Sequence, residues 1–189
     1  MTELTDFPVA SLDTETISEE GLARLICIWR PDKQYAVIPF NAGDVIEALK
    51  VFKPRFSQCM FYLCWNSIYD FQAIAKWFFP IRPLKSRGWF KSYRYPVKFF
   101  VSDKVQIMKW RKVRIYFIDA FRFYGSSLDK AGKEYLGEGK LDYNVKELKL
   151  SDFKASNKAL IEYCMKDAEL CYRLYELPVS YTHLTLPTN

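Results

Sequence analysis

"IEYCMKDAELCYRL", Ile161 to Leu174, carries a single aspartate where a helix would be buried. Leu160, Cys164, Cys171 and Leu174 recur at the spacing of one helix face, so they mark the buried stripe of an amphipathic helix. Asp167 falls on that stripe between the two cysteines. A carboxylate is almost never buried without a partner, because burial without compensation neutralises it or destabilises the fold. The stripe therefore calls for a cation beside Asp167 and for a search for other carboxylates that share it.

Outward from this helix, the pattern is a mixed α/β one. "FPVASLDTETI", "LARLICIWR" and "QYAVIPF" are β-rich runs separated by the turn signals "SEEG" and "RPDK", which predicts a three-strand antiparallel meander. "AGDVIEALKVF" has helical periodicity, and the apolar run "CMFYLCW" (59–65) reads as a strand buried on both faces. "SIYDFQAIAKWFF" (67–79) returns to helix and stops at Pro80. "RIYFID" (114–119) is a further strand, "SLDKAGKEYLG" a short helix ending at Gly137, and 157–177 the last helix. This order predicts one α/β domain with a mixed sheet flanked by helices.

The 189 residues suffice for one domain with a sizeable core, and half of them are apolar. No run reaches the roughly 20 apolar residues of a membrane span. The N-terminus lacks the basic start and apolar core of a secretion signal, so a soluble, cytoplasmic protein is expected. The five cysteines contain no CxxC pair, which suits reduced thiols better than disulfides or zinc. The net charge of +6 is uneven: between Arg82 and Arg114 eleven Lys or Arg face one acid, Asp103, so this window carries +10 and the rest −4. Aromatics stand among its cations: Trp89, Phe90, Tyr93, Tyr95 and Trp110, with Arg94 between them. Cations that follow a phosphate backbone and rings that stack on bases suit a single nucleic-acid strand.

Three carboxylate motifs stand out. In "SLDTETI", Asp13 and Glu15 are two apart and share one face of a strand. Two adjacent carboxylates repel each other, and a divalent cation is the usual reason to keep them, although a solvated strand face also tolerates the pattern. In "CWNSIYDFQAI", Asn66 ends the apolar run and Asp70 lies one turn into the next helix. A helix cap and a first-turn acid are the plain alternatives there. In the opening stretch, Tyr163 and Asp167 are four apart and stack on one helix face.

Together, in this order, these motifs resemble the three exonuclease motifs of the DEDD exonucleases: Asp-x-Glu, Asn-x3-Asp and Tyr-x3-Asp. Tyr163, with Glu at position 162, resembles the tyrosine subgroup. Over about residues 5–178 the chain is similar to the exonuclease domain of protein-primed family B DNA polymerases of phages and plasmids. That resemblance implies an RNase H-like fold and 3′→5′ removal of nucleotides from single-stranded DNA during proofreading. Two Mg²⁺ or Mn²⁺ ions, roughly 3.5–4 Å apart, would be held by Asp13, Glu15, Asp70 and Asp167, while Tyr163 orients the attacking water. It implies further that Asn66, Phe71, Ser127 and Leu128 hold the 3′-terminal nucleotides. "GKLDY" (139–143) resembles the stretch near that family's catalytic lysine, which brings in Lys140.

No polymerase motif is present, so a polymerase domain in the same native chain, and a terminal protein as its partner, are expected from the resemblance alone. "VSYTHLTLPT" (179–188) resembles an in-frame translation of a transposon-end sequencing adapter. The domain is accordingly placed at 1–178 and residues 179–189 are treated as a non-native tail. Two alternatives keep the same residues: a standalone nuclease that trims DNA or RNA, and an inactive module that only binds single strands.

Overall fold

The computed structural model describes residues 9–53, 57–79, 88–92, 94–102 and 105–184, with side chains through Leu177. Tyr93 and residues 185–189 of the expected tail lie outside the described residues. Eight strands form one mixed sheet in the order β3-β2-β1-β4-β8-β7-β6-β5. β1 (Val9–Thr16) pairs antiparallel with β2 (Ala23–Arg30), which pairs antiparallel with β3 (Lys33–Val37). At the centre, β1, β4 (Cys59–Cys64) and β8 (Val113–Asp119) run parallel. Parallel neighbours need a crossover, and helix α1 (Ala42–Ala48) lies in the connection from β3 to β4.

The described part of the basic window belongs to the sheet. Its described strands, β5 (Gly88–Lys91), β6 (Val97–Val101) and β7 (Gln106–Trp110), continue the sheet antiparallel from β8. Alternation explains why: Val97, Phe99 and Val101 are buried while Lys98 is exposed, so one face of β6 belongs to the core.

Helices cover the two faces. α2 (Ser67–Ala75) packs Phe71 against Phe117 of β8 and Phe99 of β6, with ring centroids 5.3 and 5.6 Å apart. α2 ends four residues before the expected stop, where i−3 bonds from Trp77 and Phe78 tighten the chain and Trp77 Nε1 donates to Ala23 O. On the other face the long helix α5 (Lys158–Leu184) lies on β1 and β2. Its stripe is as the sequence indicates: Leu160, Cys164, Asp167, Cys171 and Leu174 are all buried. Ser11 Oγ of β1 donates to Ala168 O and ties helix to sheet.

Between β8 and α5 the chain forms short helical turns that the sequence did not separate: α3 (Phe121–Tyr124), α4 (Leu128–Ala131) and a π-helical turn over Gly132–Leu136. The last ends at Gly137, whose φ of 75° is the left-handed conformation a glycine adopts without penalty. β4 departs from expectation in one respect. Met60, Tyr62, Leu63 and Cys64 are buried, but Cys59 and Phe61 are only half-buried, so one face is open near its start.

Phe71 is fully buried. Its assignment as a nucleotide contact is therefore corrected: the ring presents no surface to a strand and belongs to the core. Phe71→Ala is expected to cost about 3–5 kcal/mol of stability, the range for emptying a buried aromatic site, and chemical denaturation measures it.

Candidate metal and nucleic-acid site

The parallel strands deliver their C-terminal ends to one place, where a sheet of this type has its crevice. Pairing of β1 with β4 stops at Ser11 opposite Leu63, so the last residues of β1 are free of β4. Strand alternation sends Asp13 and Glu15 to the α5 side, with Ser11, and Thr14 to the α2 side. Thr14 reaches Asp70, in the first turn of α2: its N–H and its hydroxyl both donate to Asp70 Oδ1, at 3.0 and 2.8 Å. From α5, Asp167 and Tyr163 complete the group. Three elements distant in sequence thus converge, and Asp13 feels the charges of Asp167, Asp70 and Glu15 together.

Burial raises all four carboxyls, and the charges of neighbouring site acids add to it at Asp13, Glu15 and Asp70. Asp13 is pushed well above the usual range, first by burial and then by its three acidic neighbours. Burial and Asp167 push Glu15 to about 7, and Asp70 rises to about 8 despite the two Thr14 bonds that favour its charged form. Asp167 also rises through burial, although Lys140 and Tyr163 hold it down in part. Two oxygens here, Asp13 Oδ2 and Asp167 Oδ1, are buried without a hydrogen-bond partner.

Such orphaned oxygens fit a hard divalent cation, which prefers oxygen ligands. Ligand atoms of Asp13, Glu15 and Cys164 lie within 4.8 Å of one another, close enough to hold one metal ion. The Cys164 thiol donates to Asp13 O at 3.6 Å, and burial holds it protonated, so carboxylate oxygen dominates the donor set.

Lys140 alters the expectation for Asp167. Its ammonium forms an ion pair with Asp167 and lies 4.9 Å above the Tyr163 ring. Burial pulls the Lys140 ammonium down, but attraction to Asp167 and hydrogen bonds to Asp167 and Tyr163 outweigh it and hold it above the ordinary lysine value. The buried carboxylate thus has a cation from its own chain. Asp129 sets this up by accepting the Lys140 N–H at 3.0 Å, a role the sequence did not disclose. The Tyr163 hydroxyl, pushed up to about 12 chiefly by burial, stays protonated at neutral pH and is a donor.

The remaining expected contacts divide. Asn66 is exposed, with a left-handed φ of 69° that asparagine tolerates, and its side chain caps nothing. Its N–H donates to Asp119 Oδ1 at 3.0 Å, so Asp119 at the end of β8 positions it, a second residue the sequence analysis missed. Ser127 is exposed and caps α4, its hydroxyl accepting from Lys130 N at 3.3 Å. Leu128 is buried against Leu170 and Leu174, so it anchors α4 to α5 and offers little side-chain surface to a nucleotide. Trp89 and Arg94 lie at the far edge of the sheet, on and after β5, away from the carboxylates. Arg94 sits 5.7 Å over the Tyr95 ring. An apolar pocket of about 500 Å³ lined by Leu25, Val37, Phe40 and Phe153 holds none of the site carboxylates.

No family profile and no curated protein sequence matches the chain. Among solved structures it is similar to phi29 DNA polymerase complexed with single-stranded DNA, at 12% identity and a TM-score of 0.62, over 96% of this chain and 32% of that one. The same polymerase complexed with primer-template DNA aligns over 97% of this chain and 33% of its own, at 11% identity and a TM-score of 0.62. The chain therefore shares the fold of part of that polymerase and spans about a third of its length. Among the described residues, no helix is long and apolar enough to cross a membrane.

The raised carboxyls determine a pH dependence. Between the ordinary carboxyl range near 4 and the folded values of about 7 and 8 for Glu15 and Asp70, the folded protein holds more protons than the unfolded chain. In chelator, its thermal midpoint is expected to fall as pH rises from 5 to 8. Mg²⁺ or Mn²⁺ should restore it at pH 8 more than at pH 5, as differential scanning fluorimetry can read.

Proposed function

We propose that this chain is a metal-dependent 3′→5′ exonuclease of the DEDD tyrosine subgroup, with an RNase H-like fold. In this reading it removes nucleotides from single-stranded DNA as the proofreading domain, 1–178, of a protein-primed family B DNA polymerase. The polymerase domain would lie elsewhere in the native chain, with a terminal protein as partner. One observation carries the reading: carboxylates from β1, α2 and α5 converge at one end of the sheet with two buried oxygens left unpartnered. The fold shared with part of a DNA polymerase supports it.

Asp13, Glu15, Asp70 and Asp167 would hold two Mg²⁺ or Mn²⁺ ions. Bound there, such ions lower the pKa of a coordinated water and neutralise charge on the scissile phosphate. The chain's own residues supply the rest. Tyr163, a donor at neutral pH, orients the attacking water by hydrogen bond rather than taking its proton. Lys140 balances Asp167 and adds positive charge where the phosphate would lie. Asn66 and Ser127 offer exposed polar groups to the last nucleotides.

With 5′-labelled single-stranded DNA and Mg²⁺ or Mn²⁺, the protein should give a ladder that shortens from the 3′ end and vanishes in EDTA. Asp13→Ala should reduce cleavage to background, and Tyr163→Phe should slow it by about 10²-fold, the lower range for loss of one positioned hydrogen-bond donor. Folded protein that binds the strand without metal and never shortens it would identify a binding module instead.

A further inference from the structure

The outer half of the sheet has an open face. α2 packs against the side that carries Phe99 and Phe117. On the opposite side, strand register aligns side chains into two rows that run across the strands. In the first, Trp89 opposes Phe100, Phe100 opposes Ile107, Ile107 opposes Tyr116, and Tyr116 stands beside Phe61 of β4. The Trp89 and Phe100 rings are 5.3 Å apart, and those of Tyr116 and Phe61 stack at 4.8 Å and 16°. Trp89 is 56% exposed, and the others are half-buried, large apolar side chains on the side of the sheet away from α2.

The second row is made of cations. Lys91 opposes Lys98, Lys98 opposes Lys109, and Lys109 opposes Arg114. Lys91, Lys98 and Arg114 are exposed. Among the described residues, none of the four is in an ion pair. Like charges directly opposite each other in a sheet are destabilising. Folding alone gives no reason to place four in a line beside a row of four aromatic side chains and Ile107.

We propose that this face is a binding platform for a single strand of nucleic acid, distinct from the carboxylate site. Phosphates lie along the row from Lys91 to Arg114, and bases stack over the row from Trp89 to Phe61. A polyanion relieves the repulsion among the four cations, and the exposed Trp89 ring with the half-buried rings beside it favours bases that are not already paired. A duplex satisfies only the row of cations, since its bases are turned inward. A protein partner would cover the rings but would bury four like charges with them. The platform binds and does not cut: Arg114 is near the start of β8, whereas the carboxylates gather at the opposite end of the parallel strands. It goes beyond the nuclease reading and stands without it.

The test is fluorescence anisotropy of a labelled oligothymidylate in EDTA, so that binding is read whether or not the chain cleaves. The probe is about 20 nucleotides long, more than the ~4–16 that one OB-fold occupies. The doubly substituted Lys98→Gln/Lys109→Gln protein should bind more weakly. Its slope of log affinity against log salt should be shallower by about 1.4, at ~0.7 per phosphate contact for a single strand. Trp89→Leu should weaken binding about 5-fold or more with an unchanged slope, as loss of one stacked base predicts. Lys146→Gln/Lys149→Gln, two exposed lysines elsewhere, should keep the wild-type slope, and circular dichroism verifies that each variant is folded. Three outcomes would overturn the platform: wild-type affinity and slope in both the lysine and tryptophan variants, a duplex bound as tightly as the single strand, or an effect of Trp89→Leu on self-association alone.

Discussion

The constraint on which this structure turns is the burial of several carboxyl groups at one end of the parallel strands. Each costs energy to desolvate, and each makes its neighbours harder to ionise. Asp13 bears the most of this, facing Asp167, Asp70 and Glu15 at once. A folded chain accepts such an arrangement only where something offsets it. Among the described residues, the Thr14 bonds to Asp70 and, at Asp167, the Lys140 ion pair and the Tyr163 hydrogen bond supply offsets. The unpartnered oxygens of Asp13 and Asp167 leave the compensation incomplete, and in that sense the site is built to receive positive charge.

Much of the surrounding architecture holds this arrangement in place. α5 serves two purposes along one stripe: Leu160, Cys164, Cys171 and Leu174 bury the helix on the sheet, and that same burial delivers Asp167 and Tyr163 to the strand ends. β1 contributes by alternation, with one face bonded to α5 through Ser11 and the other to α2 through Thr14. The two faces of a single strand thereby register both helices. The short turns between β8 and α5 have a less obvious purpose. Asp129 in α4 holds the Lys140 backbone, so a piece of irregular chain is what brings the balancing ammonium to Asp167.

The sheet also separates two kinds of chemistry. Acid concentrates where the parallel strands end, and base spreads over the antiparallel extension β5–β7, whose cations stand opposite one another. A negatively charged polymer is drawn to the second region and repelled by the first unless cations occupy it. The likeness to part of phi29 DNA polymerase concerns the fold and leaves the details of both regions to this chain's own residues.

Elements with local patterns were legible before any tertiary structure. Helical spacing disclosed the buried stripe of α5 and the anomaly of Asp167 upon it, and strand alternation placed Asp13 with Glu15. Composition located the basic window. What the sequence left open depends on which strands pair and on how irregular segments pack. Phe71 next to Asp70 looked like a site residue because helical neighbours in sequence are not neighbours on a face, and only packing against Phe99 and Phe117 shows it as core. Lys140 could not be placed from its spacing, since its position depends on the turn chemistry around Asp129 and Gly137. Asp119 gave no signal either, because its partner is the backbone of Asn66, 53 residues away. The cation and ring rows of the outer sheet exist only as register, a property that two-residue periodicity allows and that strand pairing alone decides.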